Sequence, residues 1–235
     1  WGLHHNHNET ITLNRKYLFE AIDGSLQRLD LDYVDLLFCH RADPTTPVEE
    51  TVWAMHNSIE RGMALYWGTS EWEAAEVQQA IEAAERHNLH KPIVEQPVYN
   101  LFERHRFSEA YRPIYEEHGY GSTTWSPLAS GTLTGKYRKG VPEGSRASIE
   151  SLSWLRDQIT DADRLAKVEK LEPLAQQMGA TLSQFSLAWC LQNPWVSTVI
   201  TGASRVEQVH ENMKAVSFVD RFTPDVVEAI DEVFS

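Results

Sequence analysis

The sequence predicts an α/β fold in which parallel strands alternate with helices, and three observations carry that prediction. Short apolar or β-branched runs begin near residues 33, 64, 92 and 121, each followed by helical periodicity, so one strand-plus-helix unit recurs about every 30 residues. The first run, Tyr33 to Cys39, is broken only by Asp35, as suits a strand covered on both faces. Two later runs, ending at Trp125 and Thr201, each lead into a small-residue loop carrying glycine and a cation. Parallel strands joined by right-handed crossovers fit either an open doubly wound sheet or a closed barrel.

Each element has its own signal. From Lys16, the residues Leu18, Ile22, Leu26 and Leu29 recur at spacings of four and three, one face of a helix. The strand from Tyr33 to Cys39 stops at His40-Arg41-Ala42-Asp43-Pro44. Thr46-Pro47-Val48-Glu49 reads as a capping pair with proline in the first turn; Val48, Val52, Met55 and Ile59 form the inner stripe, and Gly62 ends the helix. Ala64 to Gly68 is the second strand, and Ser70-x-x-Glu73 predicts a cap before Ala74, Val77, Ile81 and Ala84. Pro92 to Gln96 is the third strand, a helix covers Phe107 to Glu117, and Gly121 to Trp125 is the fourth strand. Residues 137 to 160, with Gly140, Pro142 and Gly144, read as loop. Two helices follow, one through Leu165, Val168, Leu171 and Leu174, the other from Thr181-x-x-Gln184 through Leu187 and Leu191. Val196 to Thr201 is the fifth strand. Ser204-x-x-Glu207 opens a helix through Val209 and Met213, and Thr223-Pro224 opens the last, with Val226, Ile230 and Val233. An eight-stranded barrel needs three more strands, and none is found before residue 33.

Composition narrows the function classes. The 235 residues are 42% hydrophobic, ample for a core, and a barrel of roughly 250 residues is an ordinary single domain. Twenty-one basic against 34 acidic residues give a net charge of −13, which argues against a nucleic-acid surface or anionic lipid. No apolar run approaches the roughly 20 residues that span a bilayer, so a cytoplasmic chain is expected. Cys39 and Cys190 lie in apolar runs, outside any metal spacing, and read as core thiols. His4, His5 and His7 read as a solvated segment, and Asn8-Glu9-Thr10 matches a glycosylation acceptor with no secretory signal beside it. The chain starts at Trp1 without an initiator Met and reads as a processed chain or a fragment.

Chemistry-bearing candidates lie at strand ends. In Tyr120 to Lys136, YGSTTWSPLASGTLTGK, Gly131, Thr132, Thr134 and Gly135 would let backbone N–H groups approach a phosphate, with Lys136 beside them. Gly202-Ala203-Ser204-Arg205 before a helix is a second anion-compatible loop. In (β/α)8 barrels the last two strands often build such a site together. His40 ends a strand where barrel active sites form; it either donates a hydrogen bond to a substrate carbonyl or is a satisfied buried histidine. Gln96 offers an amide to a carboxamide or packs at the ladder end, and Trp125 offers a flat face to a ring or fills core.

These pieces together resemble the aldo-keto reductases, within them the branch of voltage-gated potassium channel β subunits with its plant and microbial relatives. The residues that carry the resemblance are Asp32-Tyr33-Val34-Asp35 to His40-Arg41-Ala42-Asp43, Tyr66-Trp67-Gly68-Thr69-Ser70-Glu71-Trp72, Val94-Glu95-Gln96-Pro97, Thr124-Trp125-Ser126-Pro127-Leu128-Ala129, Gly135-Lys136-Tyr137, Ser145-Arg146, and Thr201-Gly202-Ala203-Ser204 through Glu211-Asn212. The resemblance implies a single (β/α)8 TIM-barrel domain, here lacking about its first three strands, and NADP(H) as cofactor. By that resemblance Ser70 and Gln96 hold the nicotinamide carboxamide and Trp125 stacks on the nicotinamide. Ser126, Leu128, Ser130 and Lys136 wrap the pyrophosphate. Ser204 and Gln208 sit at the adenosine 2′-phosphate with Arg205 beside them, and Arg146, Glu211 and Asn212 lie around the adenine. His40 falls on the fourth member of the family's Asp, Tyr, Lys, His tetrad, where animal channel subunits can carry Asn.

The family places the tetrad Asp, Tyr and Lys in or just after its early strands, and none has a counterpart here. The Tyr is the general acid, a role typically worth ~10²- to 10⁴-fold in rate, so the chain alone is expected to be poor or inactive. Glu71 also departs from the Arg of animal relatives. The implied activity is NADPH-dependent reduction of aldehydes or ketones, in a homo-oligomer that the resemblance makes a tetramer. The alternative is an auxiliary or redox-sensing channel subunit with bound NADP(H) and a channel partner.

Overall fold

A computed structural model describes residues 12–150 and 153–235. The histidines His4, His5 and His7, the Asn8 acceptor and Trp1 lie outside the described residues. The chain divides into two compact units: one holds everything up to Pro97 together with Ser108–Ser122, the other Val98–Phe107 and Thr123–Ser235.

The first unit opens with helix α1 (Arg15–Leu29), whose Asn14 side chain accepts from the Tyr17 N–H and whose buried stripe is Tyr17, Leu18, Ile22 and Leu26. Strand β1 (Val34–Cys39) leads to α2 (Val48–Glu60), β2 (Ala64–Thr69) to α3 (Ala74–Arg86), and β3 (Val94–Glu95) is followed within the unit by α4 (Arg112–His118) and the first half of β4 (Gly121–Thr124). Each strand pairs in parallel with the one before it: Cys39 opposite Thr69, Thr69 opposite Glu95, Glu95 opposite Ser122. This order contains no reversal, which excludes the doubly wound alternative and is the order of a (β/α)8 arc. Helix α2 packs beside both α1 and α3, and Val52 and Met55 of α2 and Val77 and Ile81 of α3 are buried.

In the second unit Thr123 and Thr124 of β4 pair with Thr198 and Val199 of β5 (Thr198–Val199), again in parallel. Around them lie α5 (Ser153–Ile159), α6 (Ala162–Gln177), α7 (Leu182–Leu191), α8 (Val206–Met213) and α9 (Pro224–Phe234). Helix α7 is nearly all apolar and nearly all buried, and the expected capping box forms: Thr181 accepts from the Gln184 N–H while the Gln184 side chain accepts from the Thr181 N–H. Tyr99 is the hub of this core, its ring stacked on Phe107 at 4.3 Å and Trp189 at 4.9 Å, its hydroxyl accepting from the Asn193 amide at 3.0 Å.

Several expectations change. Strand β1 is not covered on both faces: Asp35 and Leu36 are exposed, as are Leu65 and Tyr66 on β2, and each strand is buried at its C-terminal end. Strand β1 has a ladder neighbour on one side only among the described residues. Ser70 does not cap α3; Glu73 does, in a capping box with Glu76. Thr46 does not cap α2, whose N-cap is Pro47; its hydroxyl donates to Asp43 instead, at 2.6 Å. The helix expected over 107–117 is broken into a π turn, Arg106–Ala110, and α4, because Pro113 has no N–H for the preceding turn. The loop expected over 137–160 contains α5, held by Leu155 and Ile159 against Tyr137 and Ala147. Helix α8 turns the other way from its apolar stripe: Asn212 is buried, whereas Val206, Val209 and Met213 are exposed.

Candidate functional site

The strand register aligns the first group of candidate residues. Cys39, Thr69 and Glu95 are paired neighbours, so His40, Ser70 and Gln96, each one residue further on, stand in a row at the C-terminal edge of the first unit's strands. Backbone bonds continue past the strand ends to hold them there: Ser70 N–H to Cys39 O at 3.1 Å and Gln96 N–H to Thr69 O at 2.8 Å. The Ser70 hydroxyl, 2% exposed, donates to Gln96 O at 2.9 Å and accepts from Arg41 at 3.3 Å. Trp72 braces the same edge through its Nε1–H on Cys39 O at 3.2 Å.

His40 is exposed, which removes the reading of a buried, satisfied histidine. Its imidazole titrates below its ordinary value, first through partial desolvation and then through the Arg41 charge, with Glu71 opposing. It borders a cavity of about 180 Å³ with Leu37, Phe38, Arg41 and Asp43. Asp43 fixes the loop after β1: it accepts from Thr12, Thr45 and Thr46 hydroxyls and from the Leu13 and Thr45 amides. Burial alone would raise its pKa, but those hydrogen bonds outweigh it and hold the carboxylate well below the usual range.

Beneath the row lies a buried polar network. Glu95, with no exposed surface, accepts from the Thr69 hydroxyl; Thr69 also meets the Tyr120 hydroxyl at 3.0 Å, and the Tyr111 hydroxyl donates to Trp72 O while lying 3.5 Å from Glu95 Oε1. Burial, and then the Glu95 carboxylate, push the Tyr120 phenol well above its ordinary pKa. Neither Arg41 nor this network was marked as part of the site from sequence. The signal was present in Arg41's place beside His40, and in a Glu inside an apolar strand.

The second group belongs to the second unit. Trp125 follows β4, bridges in parallel to Val98 and keeps 38% of its surface exposed, which removes the wholly core-filling reading. Ser126, Ala129, Ser130, Gly131 and Gly135 all have positive φ, giving a tightly coiled loop whose 3-10 segment Ala129–Thr134 is kinked at Ser130 and Gly131. The Asn100 amide donates to Ser126 O at 3.1 Å and so anchors the first strained residue, a part sequence reasoning missed. The amides of Ala129, Gly131, Leu133 and Gly135 are taken up by loop carbonyls. This modifies the expected backbone cradle; of the loop's candidate side chains, Ser126 and Ser130 are half-buried and Lys136 is exposed. Lys136 lies over the bare face of Gly131: a Cβ there would stand 2.9 Å from Cε and Nζ. Leu128 packs on Leu187, Ala188 and Ala215, so its side chain is core.

Strand β5 leaves from the same end as β4, with Ile200 N–H on Thr124 O at 2.8 Å. Ser204 does not cap α8, whose N-cap is Arg205; instead Ser204 donates through its amide and hydroxyl to Gln208 Oε1 at 2.8 and 3.2 Å. Gln208 and Asn212 are spaced by four on α8 and share one face, with Ser204 bonded to Gln208 from just before the helix. Arg205 is exposed, Glu211 is half-buried with its carbonyl accepting from Gln184 at 3.2 Å, and Asn212 is buried. Arg146 opens the 3-10 turn Arg146–Ser148, with its side chain outside the described set. Cys39 and Cys190 are buried thiols, as expected. No described helix is long and apolar enough to cross a membrane.

The family model of the Aldo/keto reductase family matches residues 5–234. A probable voltage-gated potassium channel subunit beta of Arabidopsis thaliana is 52% identical over 222 residues, which cover 94% of this chain and 68% of the relative. A protein of the same name from Oryza sativa subsp. japonica gives the same figures. A putative voltage-gated potassium channel subunit beta of Schizosaccharomyces pombe is 47% identical over 229 residues, 96% of this chain and 66% of the relative. With parallel strands in sequential order and a family match along almost its whole length, the chain belongs to the aldo/keto reductase family.

Proposed function

We propose that this chain is the cofactor-binding part of an NADPH-dependent oxidoreductase that reduces aldehydes or ketones to alcohols. The observation that carries the reading is the row of His40, Ser70 and Gln96 at paired strand ends. The residues fit the group. Trp125, a partly exposed aromatic residue, suits a planar heterocycle, Gln96 would supply an amide for a carboxamide, and Lys136 would supply a cation beside a loop of left-handed residues for a pyrophosphate. Ser204, Arg205 and Gln208 stand at the start of α8, where the helix dipole favours an anion such as a 2′-phosphate. Arg146, Glu211 and Asn212 complete the adenine end in this reading.

Bound there, NADPH supplies hydride to the carbonyl carbon. His40, exposed and with its pKa lowered, would present a neutral imidazole that donates a hydrogen bond to the carbonyl oxygen. Ser70, held by Gln96 O and Arg41, would fix the edge against which the carboxamide lies. Asp43, pinned by its hydrogen bonds, would keep His40 and Arg41 in register.

The names of the plant and fission-yeast relatives favour a second reading, an auxiliary or redox-sensing subunit of a voltage-gated potassium channel, in which bound NADP(H) would be structural or regulatory. Aromatic-aldehyde-dependent NADPH oxidation by the full-length protein, compared with its His40→Ala variant, separates the two. A loss of rate in the variant at unchanged NADPH affinity supports the enzyme. Equal rates remove His40 from the chemistry, and no turnover at all with intact NADPH binding favours the auxiliary role.

A further inference from the structure

Where α2 runs toward β2 and the chain enters β3, at the other ends of these strands from His40, Ser70 and Gln96, three side chains converge that the proposed reduction does not use. His56 and Glu60 are one turn apart on α2 and share a face. His90 lies in the segment between α3 and β3, its carbonyl fixed by the Trp67 Nε1–H at 2.8 Å. His90 Nε2 is 3.0 Å from Glu60 Oε1, the His90 N–H points at His56 Nδ1 at 3.4 Å, and the two imidazole rings are 5.0 Å apart, centroid to centroid. One nitrogen or oxygen from each of the three falls within 4.8 Å of the others.

We infer that His56, Glu60 and His90 form a surface site for a borderline divalent transition-metal ion, Zn²⁺ above all. Two imidazoles and one carboxylate suit Zn²⁺ and its neighbours, whereas Ca²⁺ and Mg²⁺ require oxygen ligands. Ligands in a tetrahedral zinc site stand a little over 3 Å apart, given Zn–N and Zn–O bonds of about 2.0–2.2 Å, so only small side-chain rotations close the observed set. The ion would take the place of the direct contact between His90 Nε2 and Glu60 Oε1. It would thereby tie α2 to the connection leading into β3, while water completes the coordination because Glu60 and His90 keep 59% and 48% of their side-chain surface exposed.

The competing histidines are His4, His5 and His7, so the test uses a tag-free chain in which those three are alanine. Calorimetric titration with ZnCl₂ should give one ion per chain in that background. His90→Ala and Glu60→Gln should each weaken binding by more than the roughly 10- to 100-fold typical of losing an outer-shell partner, and both variants should fold because the side chains are exposed. Trp53, whose ring meets His56 edge-on at 5.9 Å, gives a second readout: Co²⁺ should quench its emission, and His90→Ala should abolish that part of the quenching. Absence of binding in the triple-alanine background, or binding unchanged by both His90→Ala and Glu60→Gln, overturns the site. Equal or tighter binding of MgCl₂ than of ZnCl₂ overturns the assignment of the ion.

Discussion

Replacing Gly68 by alanine strikes the register on which the proposed site depends. A Cβ at Gly68 would stand 2.3 Å from Val94 O and 2.5 Å from Val94 Cγ1, closer than such atoms ever pack. The methyl meets backbone rather than the end of a flexible chain, so β2 and β3 must separate where β3 is only two residues long and paired through Gly68–Val94 and Thr69–Glu95. Overpacking of this kind costs about 1–3 kcal/mol, and each weakened bond, Ile93 N–H to Trp67 O or Gln96 N–H to Thr69 O, adds about 0.5–1.5 kcal/mol. The lower chain entropy of alanine returns about 0.5–1 kcal/mol. A net loss of roughly 2–4 kcal/mol results, a large share of the 5–15 kcal/mol typical of a native protein. Urea unfolding should show a lower midpoint at unchanged slope, and NADPH affinity should fall because Ser70 and Gln96 no longer align. A Gly68→Ala protein within about 1 kcal/mol of the parent, with undiminished affinity, would refute this reasoning.

Other perturbations reach different parts of the molecule. Lys136→Ala should weaken NADPH binding about tenfold at low salt, by loss of a charge-assisted contact, and by less at high salt; an unchanged dissociation constant would take Lys136 out of the phosphate site. Asp43 has a depressed folded-state pKa, so its stabilising contribution is full above its ordinary value of 3.8 and is lost as pH falls through the folded value. Asp43→Asn should therefore lower the urea midpoint at pH 7 and flatten its decline below about pH 4; a parallel decline in both proteins would contradict the assignment. Burial pushes the Cys39 thiol up to about 12 and Cys190 higher still, so neither should react with a disulfide reagent in native protein, and both should on unfolding.

Much of the fold was legible because its signals are local. The strands at 34, 64, 94, 121 and 198 lie in the predicted runs, and Thr181 with Gln184 announced the start of α7 correctly. The choice between doubly wound and singly wound sheets was not legible from alternation alone, since pairing order is a tertiary fact. Ser70 illustrates a harder failure: Ser-x-x-Glu is a capping pattern, yet here the hydroxyl is drawn to Gln96 O and Arg41, and Glu73 caps instead. Val209 and Met213 satisfy helical periodicity but face outward, because α8 turns Asn212 inward. Periodicity identifies a stripe without saying which side a neighbour covers. For the candidate site, strand ends pointed to His40, Gln96 and Trp125, whereas Ser70 entered only through the family resemblance. The internal use of the loop amides and the Glu95 network depend on contacts that no spacing encodes.

The most direct measurement is titration of the protein with NADPH while following indole emission, in the parent and in Trp125→Phe. Stacking on an exposed Trp125 predicts saturable quenching in the parent, most of which disappears in the variant, together with weaker binding. Saturable NADPH binding with the same quenching in both proteins would contradict the proposed position of the nicotinamide ring, and absence of binding in the parent would contradict the cofactor site itself.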